Sequence, residues 1–345
     1  MIKNYLFSAL FFLLTLDLAF SQAQPEIIPI PASYKLLEGE FLWDYQVGLV
    51  MNDFSAQGNY LQQEALRLLD IPLSEMESPS KKISISQTNS FSQGYKIRIQ
   101  SEEIVIEAAN EEGAFYGVIS LLQLAHAAKV NSGKITLPNW EIQDKPRYEW
   151  RGVMLDESRY FFGMEKVKQL LDHMAYYKLN TFHWHLTDAP GWRIDIKGFP
   201  KLATVGGIGN HSDPNAPATY YTQEGIKEIV RYASERMITV IPEIDMPGHA
   251  TAANRAYPEY SGGGSEKYPD FTFHPAKETT YGYLSKILRE VDVLFPSNMI
   301  HLGGDEVSFG NQMWPKDSMV LDLVNKEGLE GMKGVEDYFF ERMAD

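Results

Sequence analysis

Gly152-Val153-Met154-Leu155-Asp156-Glu157-Ser158-Arg159 decides the fold. The apolar run at its start reads as a buried strand. A carboxylate follows it, where a phosphate-binding turn would place glycines. Val167, Leu170, Leu171 and Met174 then recur at helical spacing, up to about Lys178. The alternation continues with a strand from Thr181 to Leu186, a loop rich in Gly and Pro, and a helix marked by Ile226, Ile229, Val230 and Ala233. A strand from Ile238 to Ile244, a helix through Leu284, Ile287, Leu288 and Val291, and a strand from Met299 to Leu302 complete the pattern. Repeated βα units imply a parallel sheet, doubly wound or closed into a barrel. Without the glycine turn the α/β reading favours a (β/α)8 TIM-type barrel over residues 147–345. Only four strands are countable, and the helix Val335 to Met343 runs to Asp345 without a capping signal, so the expectation is the N-terminal half of such a barrel.

Upstream, Pro138, Asp144 and Pro146 mark a seam near Leu137 to Arg147. Before the seam, Tyr95, Ile97 and Ile99 alternate with polar residues, and Ile104 and Ile106 repeat the pattern after a turn, which predicts a hairpin. Gly113 to Ala128 carries Ala114, Val118, Leu121, Leu122 and Ala125 at helical spacing. Residues 25–145 thus form a small α+β domain without a cluster of catalytic residue types, read as structural support. The leader, residues 1–22, pairs Lys3 with an apolar run from Tyr5 to Phe20 and reads as a signal peptide, so the protein is expected to be exported, periplasmic or secreted. A membrane anchor would need a longer run. The chain has no Cys, which excludes disulfides, thiolate metal sites and a Cys nucleophile, and its net charge of −15 makes nucleic acid an unfavourable partner.

In a βα barrel the site lies at the C-terminal ends of the strands. All four predicted strands end in carboxylates: Asp156, Asp188, Asp245, and the pair Asp305 and Glu306. Any one of these could be a helix cap. The pair is more specific, because Gly303-Gly304 permits a tight turn that lets both carboxylates meet one ligand. Glycoside hydrolysis needs an acid for the leaving oxygen and a negative group beside the oxocarbenium-like centre. The competing reading is a solvated acidic turn.

His183 and His185 share a strand face. With His249 and Asp305 they would suit a metal-dependent barrel hydrolase, or they could hold carboxylates by hydrogen bonds. Trp192 is either a sugar-stacking surface or a plug over the barrel, and Ile194-Asp195-Ile196 beside it favours the plug. Arg151, at the entry of the first strand, is expected to pair with an acid or with sugar hydroxyls.

Taken together, these stretches resemble glycoside hydrolase family 20, the β-N-acetylhexosaminidases. The likeness is carried by Gly94-Tyr95-Lys96, Glu112-Gly113-Ala114-Phe115-Tyr116-Gly117, Trp150-Arg151-Gly152, Leu155-Asp156 with Arg159, and Phe182 to Asp188. It continues through Ile241 to His249 and ends in His301-Leu302-Gly303-Gly304-Asp305-Glu306. The resemblance implies an exo-acting enzyme on glycans with a terminal N-acetylhexosamine, without metal or cofactor, in which the substrate's acetamido group attacks and forms an oxazolinium. It implies Glu306 as general acid/base and Asp305 as the partner of the acetamido N–H. Asp188, Asp245 and His249 would form the surrounding polar shell, and Arg151 would grip the ring hydroxyls. Tyr160 and Ala189-Pro190 depart from the family pattern in the loops. A non-catalytic sugar-binding protein would have lost the acid, yet Glu306 is present.

Overall fold

The computed structural model describes residues 23–344, so the expected leader lies outside it. The first domain holds strands β1 (Ser33–Leu42), β2 (Val47–Met51), β3 (Ser74–Glu75), β4 (Lys81–Gln87), β5 (Tyr95–Ile99), β6 (Glu103–Ala108) and β7 (Thr136–Asp144). They form one mixed sheet in the order β1-β7-β5-β6-β4-β2-β3. The predicted hairpin is β5 against β6, with Ile97 opposite Ile106 and Ile99 opposite Ile104. Helices α1 (Ser55–Leu69) and α2 (Glu111–Ser132) cover the sheet. Asn110 caps α2 by accepting the Gly113 N–H at 2.9 Å. Every residue of α2 from Gly113 to Ala125 is buried, because the helix is sandwiched between the sheet, α1 and the second domain, and a helix covered all round has no use for a polar face.

The second domain runs β8 (Gly152–Asp156), α3 (Met164–Tyr176), β9 (Thr181–Asp188), β10 (Gly191–Trp192), α4 (Gln223–Ser234), β11 (Thr239–Ile244), α5 (Thr251–Ala256) and α6 (Glu278–Leu294). It continues through α7 (Val307–Gly310), α8 (Ser318–Glu327) and α9 (Gly331–Ala344). β8, β9 and β11 are parallel neighbours in chain order, an α/β arrangement that winds one way. Phe182, Trp184 and Leu186 are fully buried. By strand alternation His183, His185 and Thr187 point to the opposite face.

The predicted strand Met299 to Leu302 needs correction. Only His301 bridges to it, opposite Glu243, although the Ile244 and Met246 N–H groups donate to the His301 and Leu302 carbonyls at 2.9 Å. Gly303 and Gly304 follow at φ 70° and 107°, outside the extended region, and end the strand before a ladder can form.

Arg193, fully buried just past β10, ties the strand-end loops together. Its guanidinium donates to the carbonyls of Ser158 (2.8 Å), Gly207 (2.7 Å), Gly209 (2.7 Å) and Thr219 (3.1 Å). Gly191 is required beside it, since a Cβ there would stand 2.1 Å from the guanidinium. Arg193→Met strands these carbonyls in an apolar site, so a loss on the order of 3 kcal/mol or more in urea unfolding is expected. Arg193→Lys should recover little, having fewer donors and no planar fork. An unfolding curve for Arg193→Met that overlays the parent's would remove this role.

Candidate active site

The strand register sets the site. Asp156 on β8 and Glu243 on β11 both stand opposite His185 on β9, so alternation brings three acid-base side chains to one face near the C-terminal ends. Glu243 is a hub: its Oε2 accepts from His183 Nε2 (2.6 Å) and His185 Nδ1 (2.7 Å), and its Oε1 lies 3.2 Å from His301 Nδ1. Burial works to raise the Glu243 carboxyl, but the His183 and His185 hydrogen bonds outweigh it and hold the group well below the usual range.

Asp188 is the second hub, 2% exposed. It accepts from His185 Nε2 (3.1 Å) and His249 Nδ1 (2.9 Å), and Arg159 Nη2 lies 2.8 Å away. Burial again opposes ionisation, and the two imidazoles with Arg159 overcome it, so Asp188 stays strongly acidic. Against its own burial, His185 is pushed up to about 10 by Asp188 and Glu243. His249 is raised for the same reason, with Asp188 outweighing desolvation.

His249, at φ 52°, turns its Nε2 inward. That atom is buried with no hydrogen-bond partner among the described residues. It lies 3.8 Å from Asp305 Oδ2 and 3.6 Å from Glu306 Oε2. Both carboxylates of the pair therefore lie close to one imidazole, while their side chains remain 67% and 63% exposed. The turn is tight for a reason: Glu306 sits at φ 58°, and a Cβ on Gly303 would stand 1.9 Å from Asp245 Oδ1. Asp245 is fixed by the Thr187 hydroxyl, which accepts its N–H at 2.9 Å. Its carboxyl is pushed up to about 8 by burial, with Asp188, Asp305 and Glu243 adding to the rise and His249 opposing it.

Arg151 has an acid within reach, Glu112 Oε1 at 3.8 Å from its Nη2, but it stands away from the carboxylate cluster, which corrects its expected place at the sugar. It precedes β8, about 16 Å along the strand from Asp156 by the rise per residue. Its guanidinium donates to the Tyr116 hydroxyl (2.5 Å), the Lys178 carbonyl (2.8 Å) and the Tyr148 carbonyl (2.6 Å). It joins the two domains, because a residue at the entry of a strand lies at the end away from the site. The guanidinium at the carboxylate end belongs to Arg159, bonded to Asp156 at 2.6 Å and Asp188 at 2.8 Å. Trp192 is 2% exposed and donates to the Ile194 carbonyl at 2.7 Å, so it is packed as a plug.

Sequence reading also gave no role to Glu243, although it stands two residues before Asp245, opposite the His183/His185 face. Among the described residues, three groups bring possible metal donors within 4.8 Å: His183, Glu243 and His301; His185, Asp188 and Asp245; Asp245, His249 and Asp305. The residues of the metal-dependent reading are thus divided among three groups.

The sequence profile of "Glycosyl hydrolase family 20, catalytic domain" matches residues 148–345, and that of "Glycosyl hydrolase family 20, domain 2" matches residues 24–145. The chain belongs to glycosyl hydrolase family 20. Beta-hexosaminidase of Vibrio furnissii is 35% identical over 327 residues, covering 89% of this chain and 52% of the relative. Beta-hexosaminidase of Porphyromonas gingivalis is 38% identical over 261 residues, 72% of this chain and 33% of the relative. Among solved structures, the GH20 exo beta-N-acetylglucosaminidase from Vibrio harveyi in complex with N-acetylglucosamine superposes with a TM-score of 0.84 at 32% identity, over 92% of this chain and 52% of the other. This chain spans about half the length of the two Vibrio proteins.

For a family 20 domain built on this buried network, the pH dependence of stability has a definite sign. Asp245, raised from near 4 to about 8, contributes stability that is full below pH 4 and lost as pH rises through 8. His185, raised to about 10, contributes in the same sense, with its loss running from about pH 6.5 to 10. Asp188 and Glu243, both lowered, lose theirs as pH falls below 4. Stability measured by urea unfolding should therefore peak near pH 5 and decline toward pH 9, and Asp245→Asn should flatten the decline between pH 5 and 8. A parent whose stability rises from pH 5 to 9 would contradict this account.

Proposed function

We propose that this chain carries the catalytic pair of an exo-acting β-N-acetylhexosaminidase that releases terminal N-acetylglucosamine or N-acetylgalactosamine with retention of configuration. The observation that carries the reading is the convergence of Asp305 and Glu306 on His249 Nε2, with Asp188 orienting the imidazole from behind. In this reading Glu306 protonates the leaving oxygen. Asp305 accepts the acetamido N–H and turns the acetamido oxygen toward the anomeric carbon, where it attacks as the nucleophile. Asp188 favours the charged form of His249, which faces both carboxylates. Asp245 holds the Gly304 N–H at 3.3 Å and with it the turn. Arg159, rather than Arg151, reaches the ring hydroxyls.

The same reading makes β8, β9, β11 and the bridge at His301 one arc of a closed (β/α)8 barrel, since each strand adds beside its predecessor. It also takes residues 1–22 as an export signal. No helix among the described residues is long and apolar enough to cross a membrane.

Hydrolysis of 4-nitrophenyl N-acetyl-β-glucosaminide is the test, run with and without a chelator. Activity that survives chelation, and tight inhibition by a thiazoline mimic of the oxazolinium, is the expected result. Activity abolished by the chelator would return the metal-dependent reading. No thiazoline inhibition would remove the acetamido group from the nucleophile's role.

A further inference from the structure

At the end of β8 away from the carboxylates, the seam between the two domains lines a pocket of about 540 Å³ that opens to solvent. In a chain of net charge −15, its lining sets four cations, Lys145, Arg147, Arg151 and Lys178, against one carboxylate, Asp144. Pro29, Ile30, Ala32 and Pro146 supply apolar wall, with the rings of Tyr95 and Tyr116. None of these residues belongs to the network around Asp305 and Glu306.

Lys178 is the residue that demands an explanation. It follows α3 in the left-handed region at φ 59° and is 5% exposed. Its ammonium donates to the Tyr95 hydroxyl at 3.1 Å, and Asp144 Oδ2, at 3.8 Å, is beyond hydrogen-bond reach. Asp144 is otherwise occupied, accepting the Ala32 N–H at 3.1 Å and the Tyr95 hydroxyl at 3.2 Å. Two of the three ammonium N–H groups thus have no acceptor among the described residues. Burial, reinforced by the Arg151 charge and only partly offset by Asp144, lowers the group to about 8. An ammonium this poorly compensated is costly to bury, and a second carboxylate would relieve it. Arg151 is fixed by its carbonyl and Tyr116 partners, with Glu112 Oε1 3.8 Å from its Nη2, and forms one wall. Lys145 and Arg147 are exposed at the mouth, where they attract anions.

We infer that the seam cavity is a binding site for a compact organic anion, a carboxylate on an aromatic or branched apolar body. The volume suits a small ligand. Inorganic phosphate would leave the apolar wall unfilled, and a neutral saccharide would leave the Lys178 ammonium uncompensated.

The test is calorimetric titration of the purified protein at pH 6.5 with phenylacetate, 2-phenylethanol and inorganic phosphate. Phenylacetate is expected to bind saturably, at least tenfold more tightly than either comparator. Lys178→Met should weaken it tenfold or more, and because that change also strips Tyr95 of a partner, a second variant is needed. Ala32→Trp, at an exposed position on the wall, keeps every cation and fills the space, and should abolish binding. Affinity should also fall from pH 6.5 to 9 as Lys178 deprotonates, with Asp144, Tyr95, Tyr116 and Arg151 as the groups facing it. The inference is overturned if nothing binds saturably, if the alcohol or phosphate binds as tightly as phenylacetate, or if Ala32→Trp binds phenylacetate as the parent does.

Discussion

Glu306→Gln is expected to lower kcat/KM on a natural disaccharide by between about 10² and 10⁴, the usual range for removing a positioned proton donor. On a 4-nitrophenyl or more activated aryl glycoside the loss should shrink toward tenfold, because such a leaving group departs with little protonation. The contrast follows from the geometry. Glu306 heads the short α7 in a left-handed backbone conformation with its carboxyl 3.6 Å from His249 Nε2, and Gln keeps that side chain's length. On the proposed reading, what it loses is the transferable proton. A fall of equal size on good and poor leaving groups would take the acid role from Glu306.

Asp305→Asn is expected to lower kcat by about 10² to 10³ while changing KM by only a few-fold, whatever the leaving group. A charge aimed at a developing positive centre acts mostly in the transition state, and losses of this size are typical when one such electrostatic partner is removed. Asn can still meet the acetamido group, though its amide opposes the orientation that the carboxylate imposes. The two substitutions separate the neighbouring carboxylates by their dependence on leaving group. If Asp305→Asn showed the steep dependence and Glu306→Gln the flat one, the roles would be exchanged. A rise in KM matching the fall in kcat/KM would instead make Asp305 a residue of ground-state binding.

Both outcomes depend on His249. It is held by Asp188 at 2.9 Å, which favours its charged form against burial, and it faces both carboxylates. Asp188 in turn is kept ionised by His185 and Arg159, and the chain of contacts passes through Glu243 to His183 and His301. The proton balance of the site thus rests on residues of β9 and β11 and of the segments that follow β8 and β11.

How much of this was legible in the sequence differs from residue to residue. The β5–β6 hairpin, α2, the run of β8, α3, β9, α4 and β11, and the carboxylates at the strand ends all follow from local periodicity. Periods of 2 and 3.6 are imposed by backbone geometry before any tertiary contact forms. The turn that carries Asp305 and Glu306 was also local, since two glycines ahead of two acids encode it. The fate of Met299 to Leu302 was not, because its apolar run leaves open whether the chain extends or turns, and the backbone at Gly303 and Gly304 decided for a single bridge. Arg151 and Arg159 are both arginines beside the same strand. Only the direction of β8 in the sheet puts one at the domain seam and the other among the carboxylates. The Glu243 hub was beyond sequence reading for the same reason. Which side chain stands opposite His185 is set by the register between strands some 60 residues apart, and no local pattern in either strand encodes that pairing.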